Sequence, residues 1–102
     1  MDLIGEWDVT IKTPIGSLAV VYTFNDDGGI TGAATGKGET VRLRDIVVAG
    51  QRVTWHQSVT KPMRLNLDFD VVVDGDRLTG YSKAGRLPRS AVAGVRRQGR
   101  IS

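Results

Sequence analysis

The sequence predicts an all-β fold: an eight-stranded antiparallel up-and-down β-barrel built from two similar four-stranded halves. Apolar and polar residues alternate along most of the chain, which is typical of strands with one buried face. Short turn motifs separate these alternating segments. The second half also repeats the layout of the first at a displacement of 48 residues. The matched positions are Trp7 and Trp55, Pro14 and Pro62, and the triplets Ile30-Thr31-Gly32 and Leu78-Thr79-Gly80.

The repeat sets the expected domain organisation. The two copies span about residues 4–50 and 52–99 of a chain of 102 residues. Because one four-stranded copy cannot bury its apolar face alone, we expect both copies to pack into a single barrel domain over residues 1–102. A domain of this size buries roughly 60 to 70% of its unfolded surface, which is enough for one core.

The first half contains four predicted strands, at about 4–12, 17–25, 30–36 and 39–49. The turn at 25–29 is rich in Asn, Asp and Gly, which tolerate positive φ or cap their own backbone. Strand three is short and rich in small residues. Strand four changes phase at Arg44-Asp45, which predicts a β-bulge. The inward-facing residues of strands one and two are Trp7, Val9, Ile11, Leu18, Val20, Tyr22 and Phe24.

The second half contains four further predicted strands, at about 53–60, 64–73, 78–83 and 88–97. Every connection is of hairpin length, which favours a meander over Greek-key crossings. The last strand alternates too weakly for its inward face to be assigned. The inward-facing residues of strands five and six are Val53, Trp55, Gln57, Val59, Leu65, Leu67, Phe69, Val71 and Val73.

Strand register follows from the requirement that apolar residues face each other, because a slip of one residue would expose the whole set. A loop at 13–16 places Trp7 opposite Tyr22, and a loop at 61–63 places Trp55 opposite Phe69. Such aromatic pairs contribute about 0.2 to 1 kcal/mol beyond alanine pairs. Closure into a barrel is expected to remove the exposed edges of an open eight-stranded sheet.

Composition excludes several classes of protein. The chain is 40% apolar and 25% charged, as in ordinary soluble domains. No run approaches the ~20 apolar residues that span a bilayer, so we expect no membrane partner. The absence of cysteine excludes disulfides and thiolate chemistry. The first residues lack the basic and apolar regions of a secretory signal, so we expect a cytoplasmic protein.

The net charge of +3 is unevenly distributed along the chain. Residues 83–102 hold six cations and no carboxylate, whereas residues 1–82 hold eight cations and eleven acids. A basic segment can attract nucleic acid. No aromatic residue interleaves with these arginines to stack bases, so we interpret them as a solvated strand face and expect no nucleic-acid partner.

One resemblance rests on Gly5-Glu6-Trp7, near the start of the first strand. It resembles the Gly-x-Trp opening of the calycin barrels, which include lipocalins, fatty-acid-binding proteins and avidins. The segments at 28–32 and 76–80 are similar to turns of avidin-type barrels. In these families an arginine of the last strand packs over the tryptophan and closes one end, and Arg96, or otherwise Arg97, is the matching candidate. The resemblance implies an interior that holds one small apolar or amphipathic molecule. The chain lacks the terminal helix of lipocalins and the helical lid of fatty-acid-binding proteins, so neither carrier function transfers directly.

The inward-facing aromatic residues form the candidate ligand site. Pockets lined by aromatic side chains with a few polar groups are the usual small-molecule sites. Tyr22 and Gln57 can orient a ligand by hydrogen bonding, and the inward positions of Gly32, Ala34 and Gly80 are expected to leave room for it. The alternative is that the aromatic side chains simply fill a small barrel. The predicted site residues are Trp7, Tyr22, Phe24, Trp55, Gln57, Phe69 and Arg96.

His56 is the only histidine and faces outward, opposite Asp68, in the predicted register. A His–Asp pair can act as a general base, but we interpret this pair as a surface contact. Ser58 shares its face, without a nucleophile elbow or oxyanion loop. The acidic run from Asp68 to Asp76 lacks the flanking helices and the final bidentate acid of a calcium loop. We therefore expect no catalytic residue, metal site or cofactor.

The sequence predicts non-enzymatic binding of a small apolar or aromatic molecule inside the barrel. Two alternatives remain open, so enzymatic activity is left undecided. The first is a cofactor-independent isomerase or cyclase whose cavity holds a reactive substrate in one conformation. The second is a structural oligomerisation module with a filled core. Outward-facing apolar residues at Ala19, Val21, Val47 and Val72 indicate association and predict a homodimer or a larger closed assembly.

Overall fold

The computed structural model describes residues 3–13, 16–59 and 64–97, with only the backbone described at Val59. The described residues form nine strands and contain no helix that is long and apolar enough to cross a membrane. The strands are β1 Gly5–Thr13, β2 Gly16–Asp26, β3 Ile30–Gly36, β4 Glu39–Arg42, β5 Arg44–Ala49, β6 Arg52–Val59, β7 Leu65–Asp74, β8 Arg77–Lys83 and β9 Ser90–Arg96.

All nine strands belong to one antiparallel sheet with the order β4-β3-β2-β1-β9-β8-β7-β6-β5. The pairing of β1 with β9 joins the beginning and the end of the described chain, and every other neighbour is adjacent in sequence. The sheet therefore curls into a nearly closed up-and-down barrel, as the hairpin-length connections predict.

The predicted number of strands is wrong by one, because the segment predicted as a single strand at 39–49 forms β4 and β5. β4 pairs only with β3, and β5 pairs only with β6. The register shifts between Arg44 and Val47, and Asp45 has a φ of 54°, which confirms the predicted β-bulge. The bulge turns the chain away from β3 halfway along the segment, so the two halves bond to different neighbours.

The seam between β4 and β5 is the point at which the barrel fails to close through a strand ladder. The Leu43 N–H donates to the Gly32 carbonyl oxygen at 3.0 Å, and no strand pairing joins β5 to β3 among the described residues. The expectation that closure removes every edge is therefore wrong here.

The predicted registers are confirmed. Trp7 lies opposite Tyr22, and Trp55 lies opposite Phe69. Pro14 and Pro62, which belong to the predicted loops and repeat, lie outside the described residues. Phe24 pairs with Gly32 in the first half and Val71 pairs with Gly80 in the second, so the two glycines of the repeat occupy similar ladder positions. Duplication of a four-stranded half itself stays a prediction.

The barrel interior is a single apolar core. Alternate residues of each long strand point into it, and the last strand contributes Val92, Gly94 and the stem of Arg96. The buried apolar residues are Leu3, Trp7, Val9, Ile11, Tyr22, Phe24, Ala34, Leu43, Val53, Trp55, Phe69, Val71, Val73, Leu78 and Val92.

The inward-facing glycines do not leave free space, contrary to the prediction. A Cβ atom added at Gly32 would lie 2.9 Å from Leu43 Cδ1 and 3.0 Å from Phe24 Cδ1. At Gly80 the same atom would lie 2.6 Å from the Cα atom of Val71. Side chains and backbone from neighbouring strands already occupy these places, so the glycines allow close packing.

Candidate functional site

The two ends of the barrel differ in how their interior residues are covered. We call the end at which β1 begins and β9 finishes the Arg96 end. The opposite end, at which β6 finishes at Val59 and β7 begins at Leu65, is called the Gln57 end.

At the Arg96 end, the arginine predicted to pack over Trp7 lies against its ring. The guanidinium carbon of Arg96 lies 4.4 Å from the centre of the Trp7 ring, which is a cation–π contact. Arg96 also donates to the Ile4 carbonyl oxygen at 2.8 Å and to Asp76 Oδ1 at 2.9 Å. The Trp7 indole donates to the Leu3 carbonyl oxygen at 3.0 Å. These contacts hold Arg96 and Trp7 together at this end, and closure of the end by Arg96 stays a prediction.

The middle of the barrel holds a cluster of four aromatic rings, namely Tyr22, Phe24, Trp55 and Phe69. Trp55 and Phe69 are stacked with their centroids 4.9 Å apart. The centroid of the Tyr22 ring lies 5.4 Å from that of Trp55, in a tilted geometry, and 5.9 Å from that of Phe69, in an edge-on geometry. Such arrangements stabilise aromatic pairs by about 0.5 to 1.5 kcal/mol beyond area burial. Here the rings contact one another directly.

Gln57 joins two of these rings through one oxygen atom. Its Oε1 accepts hydrogen bonds from the Tyr22 hydroxyl at 2.8 Å and from Trp55 Nε1 at 3.0 Å. Since an indole N–H can only donate, the atom that it contacts must be the amide oxygen, which fixes the orientation of the amide. The Gln57 amide nitrogen then lies on the other side of the group. It makes no hydrogen bond to any described residue.

Burial raises the pKa of the Tyr22 hydroxyl well above its ordinary value, with the hydrogen bond to Gln57 acting in the opposite direction. The reason is that the interior disfavours a phenolate. Tyr22 therefore remains a neutral donor to Gln57 throughout the physiological range.

This shift predicts a loss of stability in alkali. Above the ordinary tyrosine pKa of 10.0, the unfolded chain releases the Tyr22 proton while the folded chain retains it. The free energy of unfolding should then fall by roughly 1.4 kcal/mol per pH unit from this residue alone. The free energies of unfolding of wild type and Tyr22→Phe, measured by denaturant titration at a series of pH values, should run parallel below pH 10.0 and converge above it. Curves that stay parallel into strong alkali would contradict the assignment.

Interior residues become progressively more exposed towards the Gln57 end. Along β2, Phe24 and Tyr22 are buried, Val20 is half-buried, and Leu18 is 37% exposed. Along β7, Phe69 is buried whereas Leu67 and Leu65 are half-buried. The inward face therefore presents accessible apolar side chains above the buried Gln57 amide.

Ser82 is a further polar residue of this interior. It is 4% exposed and lies opposite Phe69, and its hydroxyl makes no hydrogen bond within the described part of the chain. Sequence reasoning did not single it out. The alternation of Leu78 and Gly80 along the same strand was the signal that could have placed it inward.

The predicted site residues fall into two groups. Tyr22, Phe24, Trp55, Phe69 and Gln57 come together in the middle of the barrel. Trp7 and Arg96 lie together at the Arg96 end, and no ring contact joins Trp7 to the cluster among the described residues. Their role in ligand binding stays a prediction.

His56 faces outward opposite Asp68, as predicted. Its Nε2 lies 3.3 Å from Asp68 Oδ1, and its Nδ1 lies 3.0 Å from Asp45 Oδ2. The sequence did not predict Asp45 as a neighbour of His56, because the two residues meet only through the bulge in β5. Ser58 instead donates to Asn66 at 2.8 Å, so no serine–histidine hydrogen bond forms here. No group of three or more potential metal ligands occurs within residues 3–13, 16–59 and 64–97.

Two depressions on the outer surface have volumes of about 340 and 270 Å³. The first lies over β6, β7 and β8, where the guanidinium of Arg89 stacks 4.4 Å from the centre of the Tyr81 ring. An aromatic residue thus contacts one arginine of the basic segment, although the segment itself contains none. Asp68 and Asp70 line the same depression together with Lys83 and Arg89, so acidic and basic groups are balanced there.

The fold and the interior site define the class as an all-β, antiparallel, nearly closed up-and-down barrel with a strand layout compatible with calycin-like barrels. Comparisons with protein-family models, curated proteins and solved structures found no match to this chain.

Proposed function

We propose that the protein binds a small apolar or aromatic molecule at the Gln57 end of the barrel. The observation that carries this proposal is the Gln57 amide, which is 3% exposed and uses its oxygen twice. Its amide hydrogens have no acceptor among the described residues. A ligand that supplies an acceptor to this amide can gain a hydrogen bond, which contributes about 0.5 to 1.5 kcal/mol.

The surroundings of Gln57 favour a largely apolar ligand. Leu18, Val20 and Leu67 provide partly accessible apolar surface on the inward face. Tyr22 and Trp55, which donate to Gln57, form the floor. Since the four rings fill the interior behind Gln57, we place the ligand above the rings and not among them. The ligand would then contact Gln57, Tyr22 and Trp55 among the predicted site residues.

The preferred polar group on the ligand is a neutral acceptor such as a carbonyl oxygen. The amide nitrogen of Gln57 can only donate, and the Ser82 hydroxyl can also donate.

The finer identity of the fold belongs to this proposal. The Gly-x-Trp opening and the Arg96–Trp7 contact support a calycin-like barrel. The equivalent pairings of Gly32 and Gly80 support descent from a duplicated half. A cytoplasmic location remains a prediction from the sequence.

The test compares matched ligands by tryptophan fluorescence. In Trp7→Phe the emission comes from Trp55, whose indole nitrogen lies 3.0 Å from the Gln57 oxygen. An aromatic ketone should give a saturable change and bind about tenfold more tightly than the hydrocarbon of the same shape, since one hydrogen bond differs. A panel without any saturable response would contradict binding and favour the structural module. Turnover of a bound compound would favour the isomerase or cyclase alternative.

A pair of charge substitutions locates the site. Leu18→Glu places a carboxylate on the inward face at the Gln57 end, whereas Val95→Glu places one on the outer face at a similarly exposed position. We expect the first to weaken ligand binding about tenfold or more and the second to leave it unchanged, because only the first charge must be desolvated. Equal effects of both would exclude the Gln57 end.

A further inference from the structure

The seam of the barrel leaves one strand with an unpaired edge. β5 ends the sheet order and hydrogen-bonds only to β6. Apart from the Leu43 N–H bond to Gly32, no backbone hydrogen bond ties this segment to β3 or β4 among the described residues. The bulge at Asp45 interrupts the ladder, so β5 makes no strand pairing along its outer edge among the described residues, and every residue of β5 except Ile46 is exposed.

The register shows which backbone groups lie on this edge. Gly50 and Gln51 form a two-residue turn, so Ala49 and Arg52 are the closing pair of the hairpin. Closing pairs of such hairpins exchange both hydrogen bonds, and bonded pairs alternate along the ladder. Val47 therefore bonds to Thr54, while the N–H and C=O of Val48 point away from β6 towards the free edge.

The side chains along this edge are apolar and exposed. Val47 is 56% exposed and Val48 is 36% exposed. Residues 46–49 include no charged residue and no proline. Proteins commonly use charged residues and prolines to protect edge strands from pairing. An unprotected apolar edge is a template for another strand.

We propose that β5 pairs with β5 of a second copy of this chain, in antiparallel orientation about a two-fold axis near Val47. The strand is self-complementary in this arrangement. Ile46 lies opposite the partner's Val48. The two charged residues of the strand, Arg44 and Asp45, lie opposite the partner's Gly50 and the partner's Ala49. No like charges face each other along the pair, and the two valines at the centre cover one another.

This pairing specifies the interface of the homo-oligomer that the sequence predicts, and it is independent of the proposed ligand site. It joins two barrels into one continuous sheet across the seam. The Val48 backbone groups then obtain partners, which removes the unpaired edge that the bulge creates.

The first test is the mass in solution, measured by sedimentation over a range of concentrations. Wild type should reach twice the chain mass of 11.0 kDa. Val47→Lys should raise the dimer dissociation constant about tenfold or more, because it replaces the single valine pair on the two-fold axis by two like charges that face each other. Val48→Pro, which removes the edge N–H, should also dissociate the dimer. Val95→Lys, at an exposed valine on the outer face of β9, should remain dimeric.

The second test needs no substitution and applies even if a variant fails to fold. Hydrogen exchange of the Val48 amide should be slow in concentrated wild type and fast on dilution, whereas the Val47 amide should remain protected in both. A wild type that is monomeric at every concentration would overturn the proposal and leave the edge for a strand of another protein. A dimer that survives both Val47→Lys and Val48→Pro would also overturn it.

Discussion

Gly80→Ala is expected to destabilise the barrel by about 3 kcal/mol or more, because the added methyl group would overlap the backbone of the neighbouring strand. Gly80 is inward-facing on β8 and lies opposite Val71. An added Cβ atom would lie 2.6 Å from the Val71 Cα atom and closer still to the Asp70 carbonyl oxygen. These are backbone atoms of a central strand, which cannot move without breaking the ladder.

Gly32→Ala is the matched control, because the two glycines occupy similar ladder positions, opposite Phe24 and Val71. At Gly32 the nearest atoms are the tips of Leu43 and Phe24, which can rotate aside, so we expect a cost of only about 1 kcal/mol. Thermal unfolding would show the contrast as a decrease in Tm of roughly 12 to 24 °C for Gly80→Ala and 4 to 8 °C for Gly32→Ala. Similar decreases for both would mean that the strands can separate at Gly80.

Gln57→Leu is expected to reduce the free energy of unfolding by about 2 to 5 kcal/mol, because two buried donors lose their common acceptor. The hydroxyl of Tyr22 and the indole N–H of Trp55 both bond to Gln57 Oε1. Leucine fills a similar volume but offers no acceptor, so the loss reports hydrogen bonding more than packing. Denaturant unfolding followed by circular dichroism measures it.

Ser82→Ala is the control, because it removes an interior hydroxyl without breaking a hydrogen bond between described residues. The Ser82 hydroxyl makes no hydrogen bond to a described residue, so its loss should change stability by less than about 1 kcal/mol. In a Tyr22→Phe background one of the two donors is already absent, and Gln57→Leu should then cost about 1 to 3 kcal/mol less than in wild type. A Gln57→Leu variant as stable as wild type would show that the shared oxygen has no structural role.

Local alternation was sufficient to predict most of the fold. The period-2 pattern of β1, β2, β6 and β7 predicted their inward faces, and the need to bury those faces predicted the pairings of Trp7 with Tyr22 and of Trp55 with Phe69. The strand boundaries agree within a few residues except at the seam. The predicted phase change at Arg44-Asp45 is present, but its consequence was missed. The sequence of a single strand can indicate a bulge. Which neighbouring strand then loses its hydrogen bonds to the bulged strand depends on the direction of the strand beside it, which that sequence does not show.

The candidate site was predictable in its members and not in its arrangement. Tyr22 and Gln57 were expected to face inward, and they do. Tyr22 and Trp55 both bond to one oxygen of Gln57, and the amide nitrogen has no partner among the described residues. This arrangement depends on strands that are distant in sequence and meet across the barrel. The same holds for Asp45 beside His56.

The sequence by itself determined that this chain forms hairpin-linked strands with two buried tryptophans, because alternation and turn chemistry act over a few residues. Only the tertiary structure decided where the barrel fails to close and what occupies the space beside Gly32 and Gly80. It also decided which atoms of Gln57 are already bonded. These outcomes depend on sheet curvature, which brings together side chains and backbone that no local pattern relates.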